Sequence, residues 1–61
     1  MEYKVFDDLK EDYADREIHV TCGYYTVKVE LKDLPEDDHA IFVVELGDPE
    51  TVLIHEIRND S

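Results

Sequence analysis

The sequence predicts an α+β fold: a small antiparallel sheet of four to five strands with one N-terminal amphipathic helix over about residues 7–16. Three observations carry that prediction. Apolar residues recur at helical spacing from Phe6 to Tyr13. They alternate with a period of two from Ile18 to Leu31, and two β-branched runs follow at 39–46 and 51–58.

The first element is a short strand over residues 2–6, where Tyr3, Val5 and Phe6 have β propensity. The helix follows. At about 100° per residue, Phe6, Leu9 and Tyr13 share one sector, and Asp7, Asp8, Glu11, Asp12 and Asp15 face the other way. Lys10 and Arg16 sit at the boundaries. Asp7 or Asp8 suits the N-cap and the positive end of the helix dipole. A helix this short depends on packing to persist.

The period then changes. Ile18, Val20 and Cys22 alternate with Glu17, His19 and Thr21, which predicts a strand over 17–22 with Cys22 buried as a small hydrophobe. Gly23 and Tyr24 supply a turn, because glycine accepts positive φ. Tyr25, Val27, Val29 and Leu31 then alternate with Thr26, Lys28, Glu30 and Lys32, completing a hairpin over 24–32. Residues 33–38 form a loop, since Pro35 does not fit a central strand.

The strand predicted over 39–46 differs in pattern. Ala40, Phe42, Val44 and Leu46 occupy one face, and Ile41 and Val43 the other, the mark of a strand covered on both sides. Gly47, Asp48, Pro49 and Glu50 form a turn. A last strand is predicted over 51–58, with Val52 and Ile54 on one side and Leu53 and Ile57 on the other. Asp48 followed by Pro49 also matches a helix start. The β-branched Thr51, Val52 and Ile54 favour the strand. One helix covers one sheet face, so the set Ile41, Val43, Val52 and Ile54 is left without a lid. Unless the sheet curls into a barrel, that face predicts a homodimer interface.

Sixty-one residues make one domain, without internal repeat or linker. A chain of this size buries about 60% of the surface its unfolded form exposes, so its stability is marginal. Small scaffolds lean on a staple, a metal or a partner subunit. Cys22 is the single cysteine, which excludes a disulfide within the chain. No stretch resembles a signal peptide or approaches the roughly 20 apolar residues of a membrane span. The expected location is cytoplasmic, in the host cytoplasm if the chain is virus-encoded.

Charge is where the composition departs from the ordinary. Seventeen acids against six bases give −11. Such a field repels nucleic acid and anionic membrane and attracts basic surfaces. It exceeds the magnitude of about 2–8 that solubility requires. The acid is also uneven. Residues 33–50 carry seven acids and no Lys or Arg, and residues 1–17 seven acids against three bases. Residues 18–32 carry Glu30 against Lys28 and Lys32.

Motifs for chemistry are weak. His19, His39 and His55 match no metal spacing. Asp33, Glu36, Asp37 and Asp38 lack the glycine and the spacing of a calcium loop. Gly23 and Gly47 are isolated, so no phosphate loop is present, and the four tyrosines lack the basic groove that base stacking on nucleic acid requires. The sequence therefore predicts no enzyme, no cofactor, no metal site and no direct nucleic-acid or membrane contact.

What remains is the acidic surface. Carboxylates four apart on the helix, such as Asp8 and Asp12 or Asp7 and Glu11, repeat every ~6 Å of rise. Such a surface suits the basic channel of a nucleic-acid-processing enzyme, as a nucleic-acid mimic. The predicted partner-binding residues are Asp7, Asp8, Glu11, Asp12 and Asp15 on the helix and Asp33, Glu36, Asp37 and Asp38 in the loop. Tyr24 and Tyr25 would act as an apolar anchor at their centre. In size, acidity and lack of catalytic motifs the chain resembles phage-encoded inhibitors of host enzymes, an analogy of composition that transfers no residue. The leading expectation is a small acidic protein that inhibits or sequesters a basic partner protein. The alternative is a structural or assembly domain that oligomerises through its sheet, its acid serving solubility alone.

Overall fold

The computed structural model describes residues 1–59. The chain forms β1 (Glu2–Lys4), α1 (Phe6–Asp12), β2 (Glu17–Cys22), β3 (Tyr25–Val29), a 3₁₀ turn at Leu31–Asp33, β4 (Ala40–Glu45) and β5 (Thr51–Asn59). The α+β class and the positions of the strands agree with the sequence pattern. Thr51–Asn59 is strand, so Asp48 and Pro49 open a turn rather than a helix. The Asp48 carboxylate accepts from the Glu50 amide at 2.8 Å, fixing that turn.

The sheet is mixed, which corrects the expectation of an antiparallel one. Its order is β1-β4-β5-β2-β3, and β2 runs parallel to β5 while every other pair is antiparallel. Two hairpins, the tight β2–β3 and β4–β5 with its five-residue loop, account for two of the antiparallel pairs. The other two connections are long, and each joins strands of the same sense across the sheet. The β4–β5 hairpin is inserted between β1 and β2, which sets β5 beside β2 in parallel.

Crossovers between parallel strands are right-handed almost without exception. The first leads from β1 through α1 to β2, and the second from β3 through residues 30–39 to β4. They move across the sheet in opposite directions from strands of opposite sense. The same handedness therefore lays both on one face. The core confirms it: Phe6 and Leu9 from α1 and Leu34 from the second crossover join Ile18, Ala40, Phe42, Val44, Val52 and Ile54 in one buried cluster.

The helix is shorter than predicted. It ends at Asp12, and Tyr13 caps it by donating its backbone N–H to the Leu9 carbonyl at 3.1 Å. Residues 13–16 turn the chain into β2, with Arg16 N–H on the Tyr13 carbonyl at 3.1 Å. The N-cap is Val5, neither Asp7 nor Asp8. Asp8 instead lies three residues in, and its carboxylate accepts from the Val5 amide at 3.1 Å. Phe6 and Leu9 point into the core as the periodicity requires.

Gly23 is the one residue of positive φ among those described, at 68°. It takes the first central position of the two-residue β2–β3 turn, the arrangement of a type II′ turn.

The β4–β5 pairing carries a β-bulge. Val43 pairs with Glu56 but Val44 with Ile54, so His55 is an extra residue in β5. The insertion inverts the alternation of β5. Ile57, which strict alternation sets on the face of Leu53, returns to the core side opposite Phe42.

The expected homodimer face does not exist as a unit. Val52 and Ile54 are fully buried in the core beneath the crossovers. Ile41 and Val43 do lie on the far side of the sheet. Val43 is nevertheless only 6% exposed and Ile41 half-buried. Tyr3 and Glu56 flank Val43 in register, and the Arg58 guanidinium lies 5.8 Å from the Tyr3 ring centre. Side chains of the same face thus cover Val43 without a second subunit.

Candidate functional site

The two crossovers bring together most of the acid that the sequence keeps apart. Residues 5–16 and 30–39 carry ten of the seventeen acids and three of the six bases. The helix descends from the β1 edge to β2, and the second crossover returns from β3 to β4 beside it. Asp7, Glu11, Asp12, Asp15, Asp33, Glu36, Asp37 and Asp38 are exposed on this layer, and Asp8 is partly so.

Compensation differs between the two sides of the molecule. On the far face of the sheet the carboxylates have cationic or imidazole partners. Glu17 meets Lys28 at 3.2 Å and His19 at 3.3 Å, Glu45 meets His55 at 3.3 Å, and Glu56 meets Arg58 at 3.1 Å. Lys28 above all, and His19 after it, hold the Glu17 carboxyl below the usual carboxylate range. Glu30 is paired too, with Lys32 at 3.2 Å. Among the described residues, none of the predicted helix or loop acids makes an ion pair. Nor does Lys10 or Arg16 on the same layer; Arg16 stacks instead on Tyr13, 4.8 Å from the ring centre. Exposed pairs contribute little to stability. Their consequence here is spatial: among the described residues the unbalanced charge lies on the crossover side, with Asp48 and Glu50 of the β4–β5 turn the acids without an ion pair outside it.

Three of the predicted binding residues have local structural work. Asp8 holds the Val5 amide, Asp33 the Glu30 amide at 3.1 Å and Asp37 the His39 amide at 2.9 Å. Aspartate is favoured in such places because its short carboxylate reaches nearby backbone donors. The helix has seven residues and Asp15 lies beyond its end. With Asp8 turned inward and so few turns, the surface is a cluster of charge and not an extended ladder of evenly spaced carboxylates.

Tyr24 and Tyr25 are not at the centre of that cluster. They sit at the turn of the β2–β3 hairpin, on the edge of the sheet, 107% and 64% exposed. Cys22, expected inside, is exposed. Burial fades along β2 from Ile18 through Val20 to Cys22, because the core cluster does not reach the hairpin tip.

Two depressions mark the surface. One of about 330 Å³ lies where the helix exit meets the hairpin and is lined by both signs of charge, including Arg16, Glu17, Lys28 and Glu30. The other, about 240 Å³, lies on the far face among His19, Thr26, Thr51 and Leu53. Among the described residues no three His, Cys, Asp or Glu side chains gather as a metal site, and no helix is long and apolar enough to cross a membrane. Comparison with known protein families, curated proteins and solved structures found no match to the chain.

Proposed function

We propose that this chain is a binding protein whose helix-and-crossover layer docks on a basic protein surface, of the kind that nucleic-acid-processing enzymes present, and so blocks or sequesters that partner. The observation that supports this reading is the division of charge. Among the described residues, nine acids with no cation of their own gather on one layer, against two in the β4–β5 turn, Asp48 and Glu50, and the acids of the opposite sheet face are paired within the chain. A charge spread for solubility alone has no reason to segregate in this way. The unpaired group includes Asp7, Glu11, Asp12 and Asp15 with Glu36 and Asp38. A complementary basic surface would be steered to it over a distance set by ionic strength.

The test is binding to a panel of basic nucleic-acid-binding proteins across a salt series. Affinity for a true partner is expected to fall about tenfold or more between about 50 and 200 mM salt. Binding that ignores salt would overturn the proposal.

A further inference from the structure

We infer that β3 is a self-association edge, at which a second copy of the chain pairs antiparallel about Val27 and joins two sheets into one. Residues 18–29 hold no acid and a single base, Lys28, the longest acid-free stretch of a chain with seventeen acids. Every other surface brings carboxylates into a contact between copies. The far face presents Glu17, Glu45 and Glu56, each beside a cation or an imidazole, and the crossover layer is unpaired acid. The opposite edge, β1, is three residues long and includes Glu2. A second copy of a −11 molecule therefore has one approach that brings no carboxylate into the contact, and it is the β2–β3 hairpin.

That edge is open and apolar. Among the described residues, β3 has no neighbour on its outer side. It contains neither proline nor bulge, two of the devices that blunt an edge, and carries a third, a lysine, at Lys28. Lys28, the one charged residue on it, is drawn back across β2 to Glu17 at 3.2 Å. On the core side of the sheet, Val27 is 40% and Tyr25 64% exposed, beyond the reach of helix and crossover.

The register follows from the hairpin. Cys22 and Tyr25 flank a two-residue turn and exchange their hydrogen bonds, so Tyr25, Val27 and Val29 turn their backbone groups toward β2. Thr26 and Lys28 turn theirs outward. Antiparallel pairing about Val27 sets Thr26 against Lys28 of the second copy and satisfies all four groups. It also sets Val27 against Val27 and Tyr25 against Val29, the β-branched and aromatic pairs that stabilise a sheet. No like charges stand directly opposite. A two-fold contact must complement itself in this way.

Sedimentation of the full chain across salt and loading concentration tests the inference. Screening weakens the repulsion between copies, so dimer is expected to grow as salt rises toward about 1 M, where the screening length is about 3 Å. The basic-partner contact has the opposite salt dependence, so either proposal can fail alone. Val27→Lys reduces net negative charge but opposes two ammonium groups at the two-fold axis; it is expected to abolish the dimer, whereas Ile41→Lys on the far face is expected to spare it. Hydrogen exchange on the unaltered chain needs no variant. The Thr26 and Lys28 amides are expected to exchange freely when dilute and to slow by about tenfold or more when concentrated in high salt. A mass that stays at 7.2 kDa throughout, a dimer broken by Ile41→Lys and not by Val27→Lys, or protection of those amides by an extended peptide in place of a second copy would each overturn the inference.

Discussion

Asp8 and Asp12 are alike in sequence, one helical turn apart on an acidic face, and the structure gives them different tasks. The Asp8 carboxylate accepts from the Val5 amide, and the Asp12 carboxylate makes no hydrogen bond or ion pair among the described residues. Asp8→Ala is expected to cost about 1 kcal/mol of stability, and Asp12→Ala less than about 0.5, as read by urea denaturation. Asp8→Asn keeps an acceptor while removing the charge, so it separates the two roles. Glu17 gives a pH-dependent counterpart. Its ionised form is favoured in the folded chain by Lys28 and then His19. A carboxyl so lowered contributes stability above its unfolded pKa, and that contribution is lost as pH falls through the folded value. The difference in thermal midpoint between the unaltered chain and Glu17→Gln is expected to shrink as the pH is lowered through the carboxylate range. A difference that widens would contradict the pairing.

At the scale of elements, the helix and the second crossover act as a lid held by few side chains. Leu9 is fully buried, and Leu9→Ala is expected to cost about 2–5 kcal/mol. In so small a domain that is enough to abolish cooperative unfolding by circular dichroism. Among the described residues a Cβ at Gly23 meets no atom within 4 Å, so the cost of Gly23→Ala is conformational, about 1–2 kcal/mol. The elements were largely legible in sequence because each has its own period: Phe6 and Leu9 at helical spacing, Ile18 to Val29 alternating. Their partners were not. A period of two marks a strand and says nothing of which strand lies beside it, so the parallel pairing of Ile18 with Val52 left no local trace. The His55 bulge misled in a different way: one inserted residue inverts the phase, and Ile57 changes face. The helix end at Asp12 carries no Gly or Pro, and the amphipathic pattern ran on to Arg16.

For the molecule as a whole, self-repulsion and segregation of charge are two aspects of the same composition. Added salt screens the excess of like charge, and the thermal midpoint is expected to rise from low to moderate ionic strength. A fall would mean that the ion pairs of the far face outweigh the unpaired acid. The two acidic blocks could be read from the sequence, but their meeting on one face could not, because it follows from the common handedness of two crossovers far apart in the chain. Tyr24 and Tyr25 were misplaced for the same reason: their distance from the acidic layer is a property of strand order. In the proposed function, unpaired acid on the crossover layer forms the binding surface. It is tested most directly by comparing two charge-matched variants against the tightest-binding basic protein of the panel. One carries Asp7→Asn, Asp12→Asn and Glu36→Gln, the other Glu17→Gln, Glu45→Gln and Glu56→Gln. A loss of affinity of about tenfold or more is expected for the first and little change for the second; equal losses, or a greater loss for the second, would overturn the proposed binding surface.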